Sequence, residues 1–111
     1  MRDDDLIRLK HMLDATKEAL DFCKGKQRED LEQDRKLVLS LIRLVEIVGE
    51  AATKISSETK VKFSEIPWPQ MIAMRHRLAH AYFDIDLDQV WDTVKEDLPP
   101  LLEKLQRIVS E

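Results

Sequence analysis

The feature that most constrains this chain is the spacing of its apolar residues between very few helix breakers. Leu6, Leu9, Leu13 and Leu20 recur at helical intervals, as do Leu37, Leu41, Leu44, Val48 and Ile55. Leu101, Leu105 and Ile108 repeat the pattern near the end. Only two Gly and four Pro interrupt 111 residues, so a period near 3.6 has room to become long amphipathic helices. The chain is 43% hydrophobic and 36% charged, the balance of one apolar core under a polar surface. The expectation is an all-α fold, an antiparallel up-and-down bundle of four to five helices, in one domain spanning residues 1–111.

Local signals divide the chain. A first helix is predicted from about Asp3 to Phe22, with Asp3, Asp4 and Asp5 at its positive end and Gly25 as its stop. A second helical region runs from near Arg28 to about Ser56. It is too long for one typical helix, so a break is expected between Asp34 and Ser40. Gly49, Ala51 and Ala52 inside it predict a close helix crossing, because Gly costs about 1 kcal/mol there relative to Ala. Ser57 to Ile66 reads as a polar linker. Pro67-Trp68-Pro69 opens a third long helix with Met71, Met74, Leu78 and Ala81 on its core stripe. Phe83-Asp84-Ile85-Asp86 breaks that pattern, and Asp86 with Gln89 forms a capping box for a helix starting at Leu87. Val90, Trp91 and Val94 belong to its buried side. Pro99-Pro100 forces a bend or restart near Asp97, and Leu101, Leu102, Leu105, Ile108 and Val109 close the bundle.

Composition also limits function. A single cysteine, Cys23, excludes an intramolecular disulfide framework. The acidic start Met1-Arg2-Asp3-Asp4-Asp5 lacks the apolar run of a signal peptide, and no stretch approaches the ~20 apolar residues of a membrane span. A cytoplasmic protein without a membrane partner is expected. The net charge of −4 counts against a protein that grips long nucleic acid over its whole surface. Any RNA contact would rest on a local basic spot. Glu46 and Glu50 lie one turn apart, but no His or Asp at helical spacing completes a ligand set. They read as a solvated or ion-paired face, and neither metal nor cofactor is expected.

Chemistry is concentrated in one run, Met74-Arg75-His76-Arg77-Leu78-Ala79-His80-Ala81-Tyr82. Arg75 is a permanent cation whose fork suits two phosphoryl oxygens at once. A histidine, with a reference pKa of about 6.5, gives or takes a proton near neutrality. RNA cleavage needs a base for the 2′-hydroxyl, a cation at phosphorus and an acid for the leaving 5′-oxygen. On one straight helix, at roughly 100° per residue, Arg75 and His80 lie about 140° apart. Arg75 and Tyr82 then share one face, and His76 and His80 another. A two-fold axis through this helix, pooling two arginines and two histidines in one cleft, is the favoured resolution over a helix distorted near its end. From residue types alone, the run also reads as a basic solvent face with Tyr82 covering the core edge.

The order R-x-x-x-x-H-x-Y, as Arg75, His80 and Tyr82, resembles the signature of the HEPN superfamily. The wider run from Ile66 to Asp86 resembles its HepT-like toxin branch. Val45 to Ala52, with Gly49-Glu50-Ala51-Ala52, also fits that branch, as does the tail from Leu87-Asp88-Gln89-Val90-Trp91 to Leu98-Pro99. The resemblance implies a helical bundle that forms a homodimer, or a higher even-numbered oligomer, with the motifs facing each other. It implies a metal-independent endoribonuclease toxin, with RNA as substrate and a minimal nucleotidyltransferase antitoxin as partner. Carried over by position, Arg75 and His80 are the catalytic pair and Tyr82 is the site of modification with AMP. His76 stands where the family prefers a polar residue, often Asn, and Ala81 where many members carry Gly. The alternative is a non-catalytic module of the same fold that binds a nucleotide or protein through the Arg75/His80 cleft.

Overall fold

The computed structural model describes residues 1–81 and 84–110; at position 75 and positions 79–81 it describes the backbone alone. Its first helix, α1, spans Asp3–Phe22, as the capping signals predict. The chain leaves it through the turn Cys23 to Lys26, closed by Lys26 N–H to Cys23 O at 3.0 Å. Gly25 sits in that turn at φ +75°, in the left-handed region that favours glycine.

The expected break falls at Asp34. It separates a single turn, α2 (Asp30–Gln33), from the long α3 (Arg35–Lys54). The Asp34 carboxylate accepts the Leu37 N–H at 3.0 Å, an N-cap that starts α3 afresh. Leu37, Leu41, Leu44, Val48 and Ile55 are buried as the stripe predicts, together with Val45 and Ala52. Gly49 and Ala51 are buried too.

The burial of α1 corrects the sequence reading. Leu9 is fully buried, but Leu13 and Leu20 only partly, while Met12, Ala15, Thr16 and Ala19 turn inward. Small side chains let α1 approach α3, its most extensive partner, and the leucines flank the contact. The Thr16 hydroxyl donates to Met12 O at 2.7 Å, which satisfies it within the core.

Ser57 to Ile66 is not simply a linker. Ser57–Lys62 forms a short helix, α4, whose N-cap is Ser56. Its anchor is Asp5, 1% exposed. That carboxylate accepts the Ser56 N–H at 3.0 Å, the Ser56 hydroxyl at 2.5 Å and the Thr59 hydroxyl at 2.7 Å. Burial alone would raise the Asp5 pKa. Hydrogen bonds from Ser56 and Thr59, with the Arg2 charge, outweigh it and hold the carboxyl below its ordinary range. The start of α1 thereby meets the end of α3, where Arg8 Nη1 also donates to Lys54 O at 3.3 Å. These two helices run antiparallel.

Helix α5 (Trp68–Leu78) follows Pro67. The Trp68 indole N–H reaches Lys60 O and Phe63 O, both at 3.2 Å, and seats the helix start. Beyond it, Ala79–Ala81 (β1) and Asp84–Ile85 (β2) make a minimal antiparallel pair, Ala79 opposite Ile85 and Ala81 opposite Asp84. Asp86 then caps α6 (Leu87–Asp92), its carboxylate accepting the Gln89 N–H at 3.1 Å.

Thr93–Asp97 is a π turn that continues without a break into α7 (Leu98–Ser110). Leu98 N–H bonds to Thr93 O, five residues back. Pro99 and Pro100 lack N–H groups, so the α-helical ladder cannot run through them. Both occupy the first turn of α7, where the missing donors are tolerated.

One cluster of buried side chains runs from Leu9 to Ile108 and takes in α1, α3, α5, α6 and α7. Cys23 lies in it; burial pushes its thiol up, with Lys95 opposing, so it is not poised as a nucleophile. Among the described residues, no helix is long and apolar enough to cross a membrane.

Candidate active site

The site begins with the packing of α5. Met71, Met74 and Leu78 are 2% exposed or less and fix which way the helix faces. Arg75 follows Met74 in the last turn. His76 and Arg77 are exposed, and Arg77 Nη2 lies 4.0 Å from Asp97 Oδ2 at the end of the π turn.

The helix stops at Leu78, three residues earlier than its apolar stripe predicts. The Leu78 carbonyl, which would otherwise continue the ladder, accepts the Asp86 N–H at 3.0 Å. Asp86 therefore works twice: its amide closes the end of α5 while its carboxylate starts α6. Strand β1 leaves and β2 returns through this closed base.

That termination overturns the helical count of faces. The rule of 100° per residue applies to Arg75 and His76 but not to His80, whose backbone lies in β1. His76 and His80 do not share a helix face, and Ala81 does not extend the α5 stripe. The rotational argument for a second subunit loses its premise. The side chains of Arg75 and His80, and the whole of Tyr82, lie outside the described residues.

The Glu46/Glu50 pair is engaged by an arginine. Arg43 Nη1 stands 3.3 Å from Glu46 and 3.8 Å from Glu50, so the two glutamates form an ion-paired face. Among the described residues, no three His, Cys, Asp or Glu side chains come together as a metal ligand set. A cleft of about 330 Å³ between α1 and α3, lined by Ile7, Arg8, His11, Ile47, Glu50 and Lys54 among others, lies apart from the 75–82 run.

A helical core bearing this run defines a chain of the HepT-like class. Residues 12–108 match the Ribonuclease HepT-like family, and the chain belongs to that family. It is 44% identical over 80 residues to "Probable ribonuclease HepT" of Thermococcus cleftensis, covering 72% of this chain and 73% of that protein. It is 30% identical over 103 residues to "Putative RNase TTE0752" of Caldanaerobacter subterraneus, covering 93% and 92%. All of the chain aligns, at 35% identity, with "Gamma-glutamylcyclotransferase and putative RNase MJ0434" of Methanocaldococcus jannaschii, and it spans half the length of that protein. No solved structure matches the chain.

Proposed function

We propose that this chain is a metal-independent endoribonuclease, the toxin of a HEPN/MNT toxin–antitoxin pair, with Arg75 and His80 as its catalytic residues. The observation that carries the reading is family membership across a span that includes the entire run from Arg75 to Tyr82. The end of α5 at Leu78 supports it, because the backbone at position 80 is free of the rotation that separated it from position 75.

In this reaction a His80 imidazole takes the proton of a ribose 2′-hydroxyl, and the 2′-oxygen attacks phosphorus. Arg75 stabilises the charge that develops on the phosphoryl oxygens. The bond to the 5′-oxygen breaks and a second imidazolium protonates it, leaving a 2′,3′-cyclic phosphate and a 5′-hydroxyl. A homodimer supplies that second histidine. His76, exposed on the last turn of α5, adds a polar group beside the pair.

Wild-type protein incubated with RNA in EDTA is expected to cut it and leave cyclic phosphate ends. An intact substrate would turn the reading toward a binding module of the same fold.

The partner in this reading is a minimal nucleotidyltransferase antitoxin that transfers AMP to Tyr82. The modification adds a negatively charged phosphate and a bulky purine to the same run as Arg75, occupying its donors and blocking RNA. The Tyr82→Phe variant is expected to cleave RNA as wild type does yet to resist silencing by antitoxin and ATP. Loss of cleavage in that variant, with an unchanged circular dichroism spectrum, would give the phenol a catalytic role instead.

A further inference from the structure

Between the buried anchors Leu78 and Val90, no described side chain is fully buried. Asp84, Asp86 and Asp88 are exposed, and Ile85, Leu87 and Gln89 only partly covered. A stretch with so little apolar burial opens easily and depends on polar ties. The tie from Asp86 N–H to Leu78 O is internal to it. One other reaches far along the sequence. Arg28, between α1 and α2, donates from Nε to Asp88 Oδ1 at 2.8 Å, across 60 residues.

Arg28 is built to hold this contact. Its side chain is 27% exposed, whereas that of Asp88 is 79% exposed. Glu32, one turn on, stands 3.7 Å from Nη1, which is buried without a hydrogen-bond partner. Asp88 sits in the first turn of α6, two residues after Asp86.

We propose that Arg28 is a positioning residue: by clamping the first turn of α6 it fixes Asp86, and through the Asp86–Leu78 bond and the β1–β2 pairing it fixes the backbone that carries His80. The consequence for cleavage rests on the ribonuclease reading; the clamp does not. A partly exposed ion pair adds little to global stability. Its effect is local, because besides the half-covered Ile85 and Leu87 and the bonds around Asp86 it is the tie that joins this segment to the start of α2.

The test reads amide exchange and cleavage side by side in the full-length protein. In Arg28→Ala, the Asp86 amide is expected to exchange about two- to fivefold faster, with amides in the middle of α1 and α3 unchanged. The kcat for RNA is expected to fall by up to the same two- to fivefold with KM nearly constant, because the positioned population cannot fall by more than the opening equilibrium shifts. Asp88→Ala should behave alike, and the double variant should be no worse than either single, because both remove one contact. Arg28→Lys should recover part of both losses. In 1 M salt the exchange difference should shrink, since the pair is screened.

Unchanged exchange at Asp86 in Arg28→Ala would overturn the clamp, as would additive effects in the double variant. Faster exchange with unchanged kcat would overturn the positioning role. A wild type that cuts no RNA would instead bring down the ribonuclease reading, and exchange alone would then decide the clamp.

Discussion

His80→Ala is expected to cleave RNA about 10²- to 10⁴-fold more slowly than wild type, the usual range for removing a general acid–base group. That corresponds to about 2.7–5.5 kcal/mol of lost transition-state stabilisation. In the proposed mechanism Arg75→Ala removes the cation at phosphorus but leaves proton transfer in place, and it should lose about 10²- to 10³-fold. Groups that act on one transition state are not additive, so the double variant should resemble the worse single. Single-turnover cleavage of a labelled RNA in EDTA measures all three, with melting temperatures confirming that each variant folds. His80→Ala cutting at the wild-type rate would remove histidine from the mechanism. Mixed dimers sharpen the result. If each cleft uses one histidine as base and its counterpart as acid, a heterodimer of wild type and His80→Ala should be nearly as slow as the His80→Ala homodimer.

Asp5→Ala should destabilise the protein by about 2–4 kcal/mol at pH 7, because it strands three donors where α1 meets α4. Asp5→Asn keeps the shape and one acceptor and should lose about half as much. The pH dependence follows from the direction of the shift. The folded carboxyl titrates below its ordinary value, near 3.9 in an unfolded chain. Its stabilisation is therefore complete above about pH 4 and disappears as pH falls through the lower folded value. Urea unfolding of wild type and Asp5→Asn at pH 7 and pH 3 checks the sign. The gap between them should narrow in acid, and an equal gap at both pH values would show that the ionised carboxylate is not what holds the junction.

The parts of this fold legible in its sequence are those whose causes are local. Asp3 to Asp5 open α1, Asp34 breaks the second helical region within the predicted interval, and Asp86 starts α6 at Leu87. Asp34 and Asp86 each meet a backbone amide three residues on, and the acidic run at α1 lies in its first turn, where the helix dipole favours carboxylates. What stayed hidden has distant causes. The Ser56 cap of α4 is completed by Asp5, 51 residues earlier. The end of α5 at Leu78 is set by the Asp86 amide and a strand pair, whereas Ala79 and Ala81 by themselves favour continued helix. The candidate site divides in the same way. Its residue types and order were readable as chemistry, but their arrangement depended on where a helix stopped. Arg28, charged and lying in a loop, gave no sign of a bond to Asp88.

The π turn at Thr93–Asp97 separates two quantities that a plain helix ties together, length and phase. In an unbroken α-helix, Val90 and Leu105 would point about 60° apart. The wider turn rewinds the run by about one residue, which leaves Val90 and Leu105 about 40° apart, and along this run α6 packs on α3 and α5 while α7 packs on α1. One continuous helix thus serves different neighbours along its length. The five residues from Thr93 to Asp97 set the phase between the two halves independently of their lengths.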